Sequence, residues 1–214
     1  MPNLADTYEI FRKNGINVIF LDEYLEEKPL EKTAHIKLFG KLFGVEKKAE
    51  KIYQEIEINY LTLKNQAAKA GNSPAVLSGE MFGNHWFLAG GKTFAAQYFK
   101  DAGADYILKN NQDEKSVSMS FEEIFSKSQS VQHWVNLSNY ATKKELLNKN
   151  PAYGKLRVFR EGKIFAMNNR QKGDANDYFE SGAVRTDLVL RDYIKIFHPE
   201  FFPNDTLVYM KELK

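Results

Sequence analysis

The sequence contains no cysteine among its 214 residues. This excludes disulfides, thiolate zinc sites, iron–sulfur clusters and cysteine nucleophiles. The sequence also lacks any apolar run near the roughly 18 residues that cross a bilayer, and it has no segment patterned like a signal peptide. An excess of one charge is missing too, since 30 basic residues stand against 28 acidic ones. This balance predicts a protein that binds neither nucleic acid nor an anionic membrane surface.

The residues that are present can build a core, because 43% are hydrophobic and 14% aromatic. Apolar spacing predicts a helix over residues 4–13, and the run INVIFL at residues 16–21 predicts a strand covered on both faces. Such a strand needs neighbours, yet no comparable run occurs before residue 75. We therefore expect the chain to begin partway through a domain. Residues 1–44 should either pack against another copy of the chain or be poorly protected from hydrogen exchange.

The next segment is predicted to be helical over residues 31–43 and again over residues 45–69. At 1.5 Å per residue the second helix would span about 36 Å, which is long enough to link two lobes. Together with the family resemblance described below, this pattern predicts three parts: residues 1–44 as the remainder of an N-terminal lobe, residues 45–70 as an inter-lobe helix, and residues 71–214 as a C-terminal ligand-binding lobe.

From residue 75 onwards strand and helix patterns alternate, which predicts an α/β fold with a parallel sheet. The family resemblance described below implies, more narrowly, a Rossmann-like (chelatase-like) lobe that follows the long helix and part of a second similar lobe. We predict strands at residues 75–79, 131–137, 157–160 and 163–167. Helices are predicted at residues 93–101, 121–126, 142–147 and 184–197, and loops at 80–91 and 168–182.

Neither a metal site nor a catalytic site is predicted. The four histidines, His35, His85, His133 and His198, lie in four separate elements without metal-ligand spacing. No serine nucleophile motif occurs either.

Candidate binding residues follow the predicted strands, where α/β sheets place their ligands. Aromatic rings, amides and cations in these loops suit a large polar ligand with apolar parts. The plainer alternative is that the indole belongs to the core and the cations are merely solvated. The predicted ligand-binding residues are His85, Trp86, Tyr140, Arg170, Lys172 and Tyr178.

The order of several segments resembles a known family. INVIF is followed by DEYLEEKPL at residues 22–30, a helix ending at Gly44, and the long helix. PAVL at residues 74–77, DAGA at 101–104, SFEEI at 120–124, YFESG at 178–182 and HPE at 198–200 then follow in turn. This order resembles the helix-linked periplasmic proteins that bind iron–siderophores, haem or cobalamin for ABC importers. One departure is at residues 127–130, which read KSQS where the family commonly has Asn/Lys-Pro-Asp.

The resemblance implies two Rossmann-like lobes joined by one long helix, with the ligand in the cleft between them. It further implies a solute-binding component that captures a ferric siderophore, or haem or cobalamin, and delivers it to an inner-membrane permease. By this resemblance, Glu122 is expected to be the residue through which the protein contacts the permease. The protein would be periplasmic or a lipoprotein at the outer face of the inner membrane, without a resident cofactor. The opening strands, a second docking glutamate and the signal peptide or lipoprotein cysteine would then lie outside this chain, and this truncation makes an oligomer possible.

Two other interpretations of the sequence stay open. The first is an enzyme of the chelatase-like fold group that acts on a tetrapyrrole or a metal, with Glu80 and His85 as its candidate residues. The second is a shortened chain that has lost its pocket and binds nothing tightly.

Overall fold

The computed structural model describes residues 3–214, including all side chains in that range except that of Tyr24. Helices and strands alternate through most of this length. The α-helices are α1 (Leu4–Lys13), α2 (Pro29–Leu42), α3 (Glu46–Ala67), α4 (Phe94–Asp101), α5 (Phe121–Lys127), α6 (Lys143–Lys149), α7 (Arg157–Glu161), α8 (Ser181–Val184) and α9 (Thr186–Phe197). Short 3-10 helices occur at Glu23–Leu25, Pro151–Lys155 and Pro199–Phe201.

The strands form three sheets. They are β1 (Ala75–Ser78), β2 (Glu80–Phe82), β3 (His85–Ala89), β4 (Asp105–Tyr106), β5 (Ser116–Met119), β6 (His133–Leu137), β7 (Lys163–Ala166), β8 (Gln171–Lys172), β9 (Ala175–Asn176) and β10 (Lys211–Glu212).

The main sheet has the strand order β10-β7-β6-β1-β4. Neighbouring strands from β4 to β7 are parallel, and β10 adds an antiparallel edge. The predicted α/β class with a parallel sheet is therefore confirmed. The chain runs from β1 to β4 on one side and then to β6 on the other, so the strand order reverses between β1 and β6. A crevice at the carboxyl ends of the strands is expected at such a reversal.

Most predicted elements after residue 22 form where the spacing placed them, including α2, α3, α4, α5, β1, β6 and β7. The predicted strand at 157–160 is wrong, because these residues form α7. Arg157 Nε lies 2.7 Å from Glu161 Oε2, one helical turn later. A Cβ on Gly162 would lie 2.6 Å from the carbonyl oxygen of Gln132. Gly162 therefore lets the end of α7 pass close to the start of β6.

The predicted strand at residues 16–21 is also wrong for the described part of the chain. These residues follow α1, which formed as predicted, but they pair with no other strand. Ile19 is 51% exposed and Phe20 is 62% exposed. The apolar run predicts burial, but these side chains stay largely exposed, with only Tyr8 of α1 beside the Phe20 ring.

The predicted loop over residues 80–91 contains a β-hairpin. Strands β2 and β3 pair with each other, and β3 also pairs with β5, forming a three-stranded antiparallel sheet. Gly79 makes this possible, because its φ is +77° and an added Cβ would lie 1.9 Å from the carbonyl oxygen of Phe87. Only glycine accepts this conformation and this close approach without strain. The predicted loop over residues 168–182 likewise contains the short hairpin β8–β9.

An aromatic cluster fixes the hairpin to the main sheet. Trp86 of β3 lies 5.1 Å from Trp134 of β6, and both contact Tyr153, with ring centroids 5.5 and 5.0 Å away. The indole N–H of Trp86 donates to the Ser78 carbonyl at 3.0 Å. The indole N–H of Trp134 donates to the Gly79 carbonyl at 2.7 Å. These contacts hold the end of β1 between two strands that carry tryptophan.

Helices α2 and α3 are attached to the rest of the chain by buried polar contacts. The Thr33 hydroxyl of α2 lies 2.8 Å from the hydroxyl of Thr186 and donates to the Val184 carbonyl at 3.1 Å. On α3, the Tyr60 hydroxyl donates to the Asp101 carboxylate at 2.8 Å. Lys64 pairs with the same carboxylate at 2.9 Å. Helix α3 therefore packs firmly, while the division into lobes at residues 44 and 70 stays a prediction.

A half-buried imidazole, that of His133 at the amino end of β6, makes stability depend on pH. Burial, together with the charge of Lys163 and the neighbouring His198, lowers the pKa of His133 to about 4. An unfolded histidine titrates near 6.5. Between pH 6.5 and 4 the unfolded chain therefore takes up a proton that the folded chain refuses. We expect the free energy of unfolding to fall by about 3 kcal/mol across this range as the pH is lowered.

Denaturant unfolding measured between pH 7 and 4 checks this. His133→Phe keeps a ring beside Phe165 and Phe197 and should flatten the pH dependence. His85→Gln, which changes an exposed histidine, should leave it unchanged. An equal slope in wild type and His133→Phe would contradict the assignment.

Candidate ligand cleft

A cleft lies at the carboxyl ends of β6 and β7, beside the reversal of strand order. A cavity of about 240 Å³ opens there between α4, the segment around α8, and α2. Its lining is mostly aromatic and aliphatic, with one lysine and one asparagine. The lining residues are Lys32, Phe94, Ala95, Tyr98, Asn136, Met167, Tyr178, Phe179, Gly182, Ala183 and Val189.

The floor of the cavity is polar. Asn136 has a φ of +61°, the one positive value at a non-glycine residue among residues 3–214, and the pairing of β6 with β7 is irregular between Trp134 and Leu137. Such irregularities redirect side chains next to binding sites. The Asn136 side-chain oxygen accepts a 2.6 Å hydrogen bond from the Tyr193 hydroxyl. Its amide nitrogen donates no hydrogen bond to the described residues, and Asn136 lines the cavity.

Tyrosines surround this asparagine. Burial raises the pKa of Tyr98, Tyr178 and Tyr193 above the ordinary value. The three phenols therefore stay protonated over the physiological range and act as neutral hydrogen-bonding groups. Tyr98 and Tyr178 also line the cavity, so their hydroxyls can hold the polar edge of a ligand without adding charge, whereas Tyr193 is fully buried and donates to Asn136.

A cation stands at the rim. The Lys32 ammonium of α2 lies 4.6 Å from the centre of the Phe94 ring. Phe94 is the first residue of α4, whose amino end is capped by the Thr93 hydroxyl, which accepts from the Ala96 N–H. The positive end of the α4 dipole and Lys32 together favour a ligand that carries negative charge.

A second cavity of about 320 Å³ lies next to the first, and the two share Phe94 and Ala95. Leu25 and Glu26 line it from the N-terminal side, and Lys115 and Ser116 line it from the start of β5. A ligand larger than either cavity could therefore span α4 by occupying both. We call the two cavities together the ligand cleft.

Three of the predicted site residues lie around the first hairpin. Trp86 is fully buried in the aromatic cluster, so its predicted place in the cleft is wrong and the plainer interpretation as a core residue applies. His85 is exposed on the hairpin. The Tyr140 hydroxyl donates to the Glu80 carboxylate, and the same carboxylate accepts the Ser138 N–H at 2.9 Å. Glu80 thus ties the end of β1 to the loop after β6.

The other three lie near the second hairpin. Tyr178 lines the ligand cleft, and its role in binding stays a prediction. Arg170 is exposed beside β8, pairs with Asp177 at 3.1 Å and lies near the Tyr209 ring. Lys172 is exposed on the same hairpin. The structure thus brings Tyr178 into the cleft and places Arg170 and Lys172 on an adjacent surface, where their role in binding stays a prediction.

The sequence alone did not identify three residues of the cleft lining as candidates: Lys32, Phe94 and Asn136. Lys32 lies in a helix that was assigned to the other lobe, and Asn136 lies inside a run that predicts a buried strand. A polar residue within the otherwise apolar WVNL was the available signal. Phe94 follows the threonine cap of α4, a position that the capping pattern does identify.

Over residues 3–214 no cluster of three or more histidine, aspartate or glutamate side chains is arranged to hold a metal ion. No described helix combines the length and the apolar character needed to cross a membrane.

Comparison with known proteins identifies the class to which this fold and cleft belong. The family model of the periplasmic binding proteins matches residues 3–171. The chain therefore belongs to the periplasmic binding protein family, a family of binding proteins rather than enzymes. Membership of this family implies an extracytoplasmic location.

Individual relatives share low sequence identity with this chain. An uncharacterized lipoprotein of Methanocaldococcus jannaschii is 26% identical over 191 residues, which cover 88% of this chain and 44% of the relative. A second protein of that organism is matched over 57% of its length. The chain thus spans about half the length of the curated relatives it matches.

Solved structures share the fold. The apo form of a periplasmic haem-binding protein from Roseiflexus sp. RS-1 is similar with a TM-score of 0.71 and 16% identity, over 92% of this chain and 72% of that one. A Helicobacter pylori protein solved with Ni(II) bound is similar with a TM-score of 0.67 and 16% identity, over 96% and 62% of the two chains.

Proposed function

We propose that this chain is the solute-binding component of an ABC importer. It captures a metal chelate in the ligand cleft and delivers it to a permease in the membrane. A ferric siderophore is the preferred ligand, with haem or cobalamin as the alternatives. The observation that carries this proposal is the aromatic cavity at the carboxyl ends of the strands, with Lys32 at its rim and neutral phenols at its floor.

The chemistry of the cleft supports a chelate over a free ion. In a ferric siderophore, hard oxygen ligands already surround the iron, so the protein needs no ligands of its own. Phe94, Tyr178 and Phe179 offer flat apolar contact to the organic shell, and Lys32 offers charge to an anionic complex. No resident cofactor is part of the proposal.

The proposed location is the periplasm or the outer face of the inner membrane, held there by a lipid anchor. The Methanocaldococcus jannaschii relative is named as a lipoprotein, which supports an anchored form.

The enzyme alternative has less support. Its candidate residues were Glu80 and His85, but the Glu80 carboxylate is already bound by Tyr140 and by the Ser138 backbone. His85 lies exposed on the hairpin.

Calorimetric titration of the purified chain tests the proposal. The panel comprises a catecholate and a hydroxamate ferric siderophore, haemin, cyanocobalamin and the iron-free siderophores. We expect one-to-one binding of one metal complex with a micromolar or tighter dissociation constant, about −8 kcal/mol or better. The ligand should be recovered unchanged. Absence of saturable binding across the panel would contradict the proposal, and conversion of the ligand would favour the enzyme.

The permease contact is proposed at Glu122. This residue lies exposed in the first turn of α5, whereas its neighbour Glu123 closes a capping box with Ser120. Hydrogen bonds from Ser120 lower the pKa of Glu123. A cap needs one of these two acids, which leaves the Glu122 carboxylate available to a cationic partner.

We expect Glu122→Gln to lower uptake by cells that carry the cognate permease, about tenfold, as for the loss of one ion pair of about 1.4 kcal/mol. Its ligand affinity should be unchanged, because α5 contributes nothing to the cleft lining. Its stability should fall by no more than ~1 kcal/mol, the value of one acid at a helix start. Uptake of the labelled chelate is the measurement.

Glu123→Gln is the matched control. It should lose stability through the weakened cap and leave uptake near the wild-type rate. Normal uptake by the Glu122 variant would contradict the assignment of Glu122 as the permease contact. It would not bear on the proposed ligand cleft.

A further inference from the structure

The Asn136 side chain at the floor of the ligand cleft is held in one orientation. Its oxygen accepts a hydrogen bond from the Tyr193 hydroxyl at 2.6 Å. Tyr193 is fully buried, and its hydroxyl has no other hydrogen-bond acceptor among the described residues. Because a buried hydroxyl needs an acceptor, the amide must turn its oxygen, and not its nitrogen, towards Tyr193.

The amide nitrogen of Asn136 is left without a partner but is not sealed off. It donates to no described residue, yet it is not one of the buried polar atoms that lack a partner in the described part of the chain. The nitrogen is therefore accessible to solvent. Since Asn136 lines the 240 Å³ cavity of the ligand cleft, a ligand in this cavity meets an N–H donor at its floor.

The backbone at Asn136 is unusual in a way that favours a binding role. Its φ of +61° lies in the left-handed region, where asparagine and aspartate are enriched over other non-glycine residues. The pairing of β6 with β7 shifts between Trp134 and Leu137, on either side of Asn136. Such conformations cluster at ligand-binding positions, where the surrounding structure maintains them. A strand that served only the core would not need one.

The charges around the cleft agree with a donor at its floor. Among the described residues that line the first cavity, Lys32 is the only charged one. The carboxylates Glu26 and Glu114 line the second cavity instead. An anionic group is therefore attracted to the first cavity and repelled from the second. A ligand group that offers only N–H donors would leave the Asn136 nitrogen unpaired, which costs binding free energy.

We propose that Asn136 is a specificity-determining residue, which selects metal chelates whose anionic oxygen atoms reach the floor of the ligand cleft. A ferric catecholate fits this description, because its phenolate oxygens carry more negative charge than the iron neutralises. A ferric trihydroxamate is neutral overall and fits less well. This inference rests on the proposed function and names the class of chelate within it.

Asn136→Asp tests the proposal most directly. The substitution keeps an oxygen that accepts from Tyr193 and a residue type that tolerates the positive φ, but it replaces the N–H donor with a carboxylate oxygen. We expect it to weaken binding of a ferric catecholate at least about tenfold, as for the loss of a hydrogen bond to a charged group. Calorimetric titration of the purified chain is the measurement. Wild type should bind the ferric catecholate more tightly than a neutral ferric trihydroxamate.

A second variant and a control complete the series. Asn136→Gly removes the amide and accepts the same φ, so binding should weaken, but less than in Asn136→Asp, because no carboxylate repels the ligand. Asn139→Asp is the matched control, since it adds the same charge at an exposed position of the loop after β6. It should bind nearly like wild type, because an exposed charge is screened. Thermal unfolding checks that each variant is folded.

The outcomes separate this inference from the function on which it rests. Equal affinity of wild type, Asn136→Gly and Asn136→Asp for the catecholate would overturn the role of Asn136 and leave the solute-binding function standing. Tighter binding of the trihydroxamate by wild type, or an equal loss of affinity in Asn139→Asp, would do the same. Absence of saturable binding of any metal complex by wild type would overturn the proposed function and this inference together.

Discussion

Ala95→Trp is expected to weaken ligand binding at least a hundredfold, or about 2.8 kcal/mol. Ala95 lies in the first turn of α4 and lines both cavities of the ligand cleft. An indole in place of its methyl group would fill much of the 240 Å³ cavity. Calorimetric titration with the metal complex that wild type binds is the measurement. Thermal unfolding checks that the variant is folded.

Ala68→Trp provides the control. Ala68 is an exposed residue at the end of α3, and the chain enters β1 soon after it, at the opposite end of the sheet from the cleft. This variant should bind like wild type. If Ala95→Trp retained full affinity, the ligand would have to lie outside the ligand cleft. The exposed surface beside Arg170 and Lys172, which the sequence also indicated, would then be the next place to examine.

The parallel sheet and its helices could be predicted because their signals are local. Helix α4 begins at a threonine cap, α5 begins at a capping box, and β6 is a short, mostly apolar run. Each of these signals depends on residues within one or two turns. The carboxyl ends of the strands were accordingly expected to carry the site. Tyr178 lines a cavity there, and its role in binding stays a prediction.

The incorrect predictions of secondary structure concern segments whose structure depends on contacts between residues far apart in sequence. The hairpin β2–β3 was predicted as a loop because glycines flank it, while its third strand, β5, lies about 30 residues further along the chain. The run at residues 16–21 shows the reverse error. Its apolar pattern indicates a buried strand, but a pattern within one segment cannot specify what covers that segment.

Asn136 could not be assigned a role from its sequence position. Its orientation depends on a positive φ within β6 and on a hydroxyl from α9, 57 residues later. Lys32 was likewise assigned to the other lobe, whereas the packing of α2 through Thr33 brings it to the cleft. Side-chain types identify candidates, and tertiary contacts then decide which of them share a cavity.

Trp86 was expected to bind ligand and instead lies in the core, so its replacement should affect stability and not affinity. We expect Trp86→Ala to lower the free energy of unfolding by about 3–5 kcal/mol, through lost apolar contact and the cavity left behind. Trp86→Phe should cost less, about 1–3 kcal/mol, mainly because the Ser78 carbonyl loses the indole N–H that it accepts. Urea unfolding gives both values.

Replacement of the neighbouring Phe87 distinguishes the loss of core packing at Trp86 from a general effect of mutation in the hairpin. It belongs to the same strand but points to the opposite face and is 43% exposed, whereas Trp86 is 0% exposed. Phe87→Ala should therefore cost well under the Trp86→Ala value, about 1 kcal/mol or less for a partly exposed side chain. Ligand affinity, measured well below the unfolding transition, should be the same for Trp86→Phe and wild type. A Trp86→Phe variant with normal stability and weakened binding would show that Trp86 contributes to ligand binding, because lost core packing cannot produce that combination.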